Sequence, residues 1–243
     1  MNKRVLFSAF LGTLIEVYDF SVFPFFIPII TEVFFSSYDK SNAINFTILA
    51  YVVSYFVKPI SAIVCGYLMD YFGRKRVFLF TTLSMTVATS VIALLPSSLM
   101  IRGYGTLLII CRVLQGIAIS GEFATAIIMA VEEGKKRSAF SGCIAFIGGS
   151  IGLLLANLSV LIVLYAIPHE QMISFGWRVP FLIGAIGCIS LFYMRSGLKY
   201  DFVDSKNSHT FKSLFKTNKK ALCVVARTYK SLFSHLSIFF CSH

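Results

Sequence analysis

Six long apolar runs limit most tightly what this chain can fold into. They cover about residues 5–30, 44–69, 77–97, 105–131, 139–167 and 179–195, with short connectors between them. A helix that crosses a bilayer needs about 20 mostly apolar residues, and the runs match that need. Backbone in lipid must satisfy its own hydrogen bonds, so the spans are helices or a closed barrel. The runs are continuous rather than alternating, which excludes the barrel. Only 14% of the residues are charged, against about 25% in a soluble domain. The expected fold is therefore an all-α, multi-pass membrane protein. The first run follows Lys3 and Arg4, as the apolar part of a signal peptide would. It is too long for one, it carries two acids and no small-x-small cleavage site follows, so it is expected to stay in the mature chain.

The formal net charge is +11, and its placement sets an orientation. With the N-terminus in the cytoplasm, the inner segments carry Lys3 and Arg4, then Arg74, Lys75 and Arg76, then Lys135, Lys136 and Arg137. Beyond the sixth run come Arg195, Lys199, Lys206, Lys212, Lys216, Lys219 and Lys220. The outer loops hold only Lys40 and Arg102, with Arg178 at a boundary. This is the positive-inside pattern, so the basic excess calls for no nucleic-acid partner, and no nucleic-acid motif is present. Residues 1–195 are expected to form the bundle and 196–220 a basic cytoplasmic loop. Residues 221–243 would be a partial seventh span or an interfacial segment. The six cysteines include no C-x-x-C pair, and the four histidines are scattered. Neither a disulfide framework nor a metal site is expected. No nucleophile–base pair points to an enzyme.

An ionisable residue inside a span costs at least ~2.5 kcal/mol, so it usually faces the bundle interior or a watery path. In the first run, Gly12, Glu16 and Asp19 share one helix face by their 4 and 3 spacing. In the fourth, Arg112, Gln115, Ile119 and Glu122 form another stripe. Arg112 and Glu122 lie roughly 15 Å apart along the axis, so each needs a partner elsewhere. Depth suggests Asp19 for Arg112, across an axial gap of roughly 7 Å. Glu16 and Glu122 fall at similar depth, and two neighbouring carboxylates can share a proton. In the second run, Tyr51, Ser54, Lys58, Ser61 and Cys65 make a third polar stripe, with Lys58 too deep to snorkel easily. These faces are read as a proton or substrate site; a structural set of counter-ions is the alternative.

In the fifth run, Ala145, Gly149, Gly152, Ala156 and Ser159 form a small-residue face, and Gly148 and Gly152 make a G-x-x-x-G. Such faces let helices approach closely. The loop after the second run reads GYLMDYFGRKR, residues 66–76. Gly66 would permit close backbone approach, Asp70 would end the helix, and Gly73 would turn the chain before Arg74, Lys75 and Arg76.

This loop resembles the signature between the second and third helices of the major facilitator superfamily, and RVLQG, Arg112–Gly116, resembles its fourth-helix motif. GTLIEVYDF (12–20), QGIAISGEF (115–123) and GWRVPFLIGAIG (176–187) are similar to stretches of its metabolite:proton symporter branch. That branch includes proline/betaine, 2-oxoglutarate, citrate and shikimate transporters. The resemblance implies the N-terminal six-helix half of such a transporter, built from two inverted three-helix repeats. It also implies a proton-driven symporter of the cell (inner) membrane working by alternating access, with the proton as coupling ion and no other cofactor. By it, Glu16, Asp19, Arg112 and Glu122 become coupling and substrate residues, beside Lys58 and Gln115. Gly66, Asp70, Gly73, Arg74 and Lys75 become a cytoplasmic gate. Val17, Ser120, Lys58 and Tyr71 depart from the branch pattern, which points to relaxed sequence or altered specificity.

The family needs twelve helices in two halves, with the solute between them, and this chain supplies one. It is expected either to work with a second copy or a C-terminal half, or to be a non-transporting remnant of a truncated gene. A zwitterion such as proline or glycine betaine matches a site with both charge signs. A dicarboxylate would want more cations than Lys58 and Arg112.

Overall fold

A computed structural model describes residues 3–36, 38–96, 103–134 and 138–197. The side chains of Lys3, Lys40, Asp70, Arg74, Glu132, Glu133 and Ser138 fall outside that description. So do Arg102, the basic residues 135–137, and the expected cytoplasmic loop and partial seventh span from residue 198 onward.

The described secondary structure is helical. The helices are α1 (Lys3–Phe25), α2 (Ile27–Phe34), α3 (Lys40–Phe72), α4 (Arg74–Leu94), α5 (Gly103–Gly134) and α6 (Ser138–Ala166). A single turn α7 (His169–Gln171) and a π-helical turn (Met172–Gly176) lead into α8 (Arg178–Ser196). Six stretches among them are long and apolar enough to cross a membrane. The first run, expected as one span to residue 30, is two helices that break at Phe26. Pro28 explains the break. It has no N–H, and its ring would crowd the carbonyl four residues back, but it is tolerated in the first turn of a new helix. Asp70 does not end α3, which continues to Phe72; the turn falls at Gly73, whose φ of 87° suits glycine.

Helix α1 is the hub and packs on α5, α6 and α8, while α4 packs on α5 and α8, and α3 on α5. Phe23, Phe26, Ile30, Leu95, Met172 and Trp177 fill one end of the bundle. Val5, Phe78 and Met129 meet at the other, where α1 and α4 begin. At the first end, Arg178 donates from Nε and Nη2 to the Leu95 carbonyl, at 3.1 and 2.7 Å, and so ties the start of α8 to the end of α4.

Polar stripes close two of the helix interfaces. Along α3 and α5, Ser54 Oγ donates to the Arg112 carbonyl (2.9 Å), Ser61 Oγ to the Ile117 carbonyl (2.8 Å) and Ser120 Oγ to the Lys58 carbonyl (2.9 Å). Part of the second run's polar stripe is therefore interhelical bonding. A β-carbon on Gly116 would lie 2.6 Å from the Ser54 carbonyl oxygen, so that position must stay bare. Between α1 and α6, Gly148 and Gly152 lie directly on the backbone carbonyls of Phe10 and Leu14, and Thr13 Oγ1 donates to the Ala145 carbonyl at 2.7 Å. Gly149 faces only the Val17 side chain, at 3.4 Å. Gly152→Ala is thus expected to cost about 1–3 kcal/mol by overpacking and Gly149→Ala less than about 0.5 kcal/mol, compared by thermal unfolding in detergent. Equal losses would show that the contact is not backbone-limited. Gly66 does not make the close approach expected of it: a β-carbon there meets nothing within 4 Å, because no helix of the bundle covers that exposed face of α3.

Candidate functional site

Among the described residues, two polar clusters lie in the interior of the bundle, with a pair of cations beside them. In the first cluster, Asp19 of α1 accepts at Oδ2 from Gln115 Nε2 of α5 (2.6 Å) and from Thr89 Oγ1 of α4 (2.7 Å). Gln115 Nε2 also lies 2.9 Å from Thr89 Oγ1, which closes the triangle. The carboxylate is buried on all sides, and Oδ1 points at α8, where a β-carbon on Gly184 would be only 3.0 Å away.

The second cluster lies nearer the end where α1 begins. Glu122 Oε2 of α5 accepts from Arg195 Nη1 of α8 at 2.8 Å, and both side chains are sealed, at 0% and 1% exposure. Arg195 Nη1 also lies 2.6 Å from Thr82 Oγ1 of α4, and the guanidinium rests 4.1 Å over the Phe78 ring. Gly12 is the notch that admits this guanidinium: a β-carbon on Gly12 would collide with Arg195 Nη2. Glu16, one turn along α1 from Gly12, is 2% exposed, and its Oε2 has no hydrogen-bond partner among the described residues. The charges that act on it are those of Glu122, Arg195 and Lys58.

The cations Lys58 and Arg112 sit on aromatic faces. Lys58 Nζ lies 3.8 Å from the Phe20 ring centre and 4.4 Å from that of Tyr55. The Arg112 guanidinium lies 3.7 Å over the Phe23 ring, and none of its three nitrogens has a hydrogen-bond partner among the described residues. Such stacking supplies roughly 0.5–2 kcal/mol and leaves the N–H donors unused. The Tyr51 and Tyr55 hydroxyls bond each other at 2.9 Å. Lys58, Tyr51 and Tyr55 are half-buried, whereas Arg112 is fully buried.

The expected Asp19–Arg112 ion pair is not formed. Gln115 stands one turn from Arg112 on the same helix and takes the carboxylate, while the aromatic ring takes the guanidinium. The face with Glu16 and Asp19, expected to meet water and solute, is packed inside the bundle instead. Glu16 and Glu122 do approach each other, since α1 and α5 are neighbours. Arg195 and Gly12 are part of the site, although the sequence placed Arg195 at the edge of the cytoplasmic loop. In the turn between α3 and α4, Gly73 has its positive φ and Lys75 is exposed. The side chains of Asp70 and Arg74 lie outside the described residues. An apolar groove of about 400 Å³ runs outside α1, between α6 and α8, past Leu14, Tyr18, Leu158 and Gly187. It holds none of the buried charges. The described residues include no group of His, Cys, Asp and Glu able to hold a metal.

The profile of the Major Facilitator Superfamily matches residues 9–242. An Escherichia coli (strain K12) protein, the inner membrane metabolite transport protein YhjE, is 32% identical over 200 residues, 81% of this chain and 46% of its own length. A Staphylococcus aureus (strain COL) protein with proline/betaine transporter in its name is 30% identical over 235 residues, 95% of this chain and 50% of its own. The inward-open structure of the xylose transporter XylE from E. coli superposes with a TM-score of 0.70 at 16% identity, covering 94% of this chain and 55% of that one. That likeness establishes the shared fold. The chain spans about half the length of the curated relatives it matches. With six apolar helices in the fold of one transporter half, it is a multi-pass membrane protein and belongs to the Major Facilitator Superfamily, a family of transporters and not of enzymes.

Proposed function

We propose that this six-helix unit is the proton-coupled half-site of a symporter for a small solute that carries a carboxylate, with proline or glycine betaine as the solutes of choice. The observation that carries this reading is Lys58. It is a half-buried cation on the Phe20 and Tyr55 rings, with no carboxylate in direct contact among the described residues. The acid whose charge acts on it is Glu16. A solute carboxylate docking on Lys58 takes over one of the two cations that act on Glu16, which favours a proton on Glu16. The linkage is reciprocal: a proton on Glu16 frees Lys58 for the solute. Anion and proton then bind together, which is the thermodynamic content of symport. Arg112 is a second donor set behind the tyrosine pair. Asp19, Gln115 and Glu122 hold the helices that carry these groups, and Gly73, Arg74 and Lys75 mark the cytoplasmic turn, with the N-terminus inside the cell. A C-terminal half or a second copy would supply the other wall of the solute path. The carboxylate metabolites 2-oxoglutarate, citrate and shikimate are the alternative solutes; a second carboxylate would rely on Arg112.

Uptake of labelled proline and glycine betaine into proteoliposomes holding this chain, with and without an imposed pH gradient, tests the reading. Gradient-driven uptake is expected, and it is lost in Glu16→Gln. In Lys58→Met it is expected to fall by about tenfold or more, since a hydrogen bond to a charged group contributes roughly 1.5–3 kcal/mol. Uptake indifferent to the gradient would overturn proton coupling. No uptake of either solute or of the three carboxylates, from protein shown to be folded and inserted, would favour a non-transporting unit.

A further inference from the structure

We infer that Arg195 is the positioning residue of the buried carboxylate pair: entering through the notch at Gly12, it engages Glu122 in an ion pair and leaves Glu16 as the acid that exchanges the proton. The pairing stands on geometry alone; the exchange rests on the symport reading above.

The two acids on the neighbouring helices are held unequally. Glu122 accepts a charge-assisted bond of 2.8 Å from Arg195. Arginine keeps its charge in proteins, so the bond holds Glu122 against a fixed cation. Glu16 faces the same guanidinium but its Oε2 has no donor among the described residues. The groups that face the pair come from every side. They are Arg195 and Cys188 from α8, Thr82 from α4 and Lys58 from α3, with Asp19 one turn along α1 from Glu16. Arg195 bonds Glu122 and acts on Glu16 only through space, as Lys58 does, and Lys58 is the cation that a solute carboxylate would reach.

The placement of Arg195 is built rather than incidental. It stands in the last turn of α8, where a basic side chain ordinarily serves the free carbonyls of the helix end. Here the side chain turns back into the bundle and is 2% exposed. It rests on Phe78 and lies 2.6 Å from Thr82, and it occupies the space that a side chain at position 12 would fill. Gly12 therefore has a duty distinct from helix flexibility: it keeps α1 narrow where the guanidinium crosses. In the proton step, an O–H bond forms at Glu16 Oε2 with a proton from bulk water on one side of the membrane. It breaks when that proton leaves to the other side, and Glu122 takes no part in the exchange.

Infrared difference spectroscopy of the reconstituted full chain after a pH jump tests this without requiring transport. The readout is the C=O stretch of protonated carboxyl groups, with Asp19→Asn as the control that separates the third acid. One titrating band is expected to vanish in Glu16→Gln and to persist in Glu122→Gln. Arg195→Gln is expected to add a second band, one that is absent when Glu122→Gln is combined with it. Gly12→Ala, which displaces the guanidinium without removing it, should do the same, and Arg195→Lys should restore the single band. Removing a cation beside two acids favours their protonated forms, so in Arg195→Gln the pH profile of gradient-driven uptake moves to higher pH. A band that vanishes in Glu122→Gln but not in Glu16→Gln, or spectra unchanged in both Arg195→Gln and Gly12→Ala, would overturn the inference. The expected spectra with no uptake would leave the positioning role standing and overturn the symport reading instead.

Discussion

Glu122→Leu is expected to cost about 3–5 kcal/mol, the usual penalty for stranding one partner of a buried ion pair. Glu122 and Arg195 are both sealed from solvent and bond at 2.8 Å. Leucine fills a similar volume but leaves the guanidinium with a neutral oxygen of Thr82, the Phe78 face and the unbonded charge of Glu16. None of these replaces the direct bond in a low-dielectric interior. Glu122→Gln keeps an acceptor at the same place and is expected to lose less. The double variant Glu122→Leu/Arg195→Leu should recover most of the loss, since two apolar groups can replace a buried pair at little cost. Thermal unfolding of the purified chain in detergent, with helicity as the signal, gives all three values. If the double variant is as unstable as the sum of the two singles, the two residues do not act as a pair.

The parts of this arrangement that were legible in the sequence are those set by periodicity. Long apolar runs fixed the helical, membrane-crossing class, and helical spacing put Glu16 with Asp19 and Arg112 with Gln115 and Glu122 on shared faces. Spacing along one helix cannot choose a partner on another. Depth alone pointed Arg112 at Asp19, but Gln115 stands one turn away on the same stripe and has the shorter reach. The aromatic residues that hold Arg112 and Lys58, namely Phe23, Phe20 and Tyr55, look like ordinary apolar filler in a span. Arg195 was invisible for another reason. Its Cα lies at a helix end that reads as cytoplasmic, and only a long side chain folded backward makes it interior. The signal that could have found it was Gly12, a bare position one turn before a buried acid. Ser54 and Ser61 show the opposite error: a polar stripe suggested a solute path, whereas these hydroxyls bond carbonyls of α5. Gly66 resembles a packing glycine, yet nothing in these six helices packs on it.

Asp19→Leu is expected to be comparably costly, at about 2–6 kcal/mol for two stranded donors at about 1–3 kcal/mol each, through a different set of contacts. Asp19 Oδ2 is the common acceptor for Gln115 and Thr89. Removing it leaves a buried amide and a hydroxyl to bond only each other, at 2.9 Å. It also removes the carboxylate whose charge acts on Arg112. Arg112 is not touched by Asp19, so this second loss travels through space across a dry interior, where screening is weak. Asp19→Asn retains an oxygen for Gln115 or Thr89 and should isolate the charge effect from the hydrogen bonds. The through-space part is measurable as a coupling between Asp19→Leu and Arg112→Met. Residues that share a network couple by about 0.5–3 kcal/mol, and independent ones add within about 0.5 kcal/mol. A coupling in the first range would show that Arg112, held on Phe23 with its donors unused, is electrically balanced by Asp19. It would then be free to offer those donors to an anion without first breaking a salt bridge. Simple additivity would mean that the aromatic face alone holds Arg112, and that the guanidinium is no poised anion site.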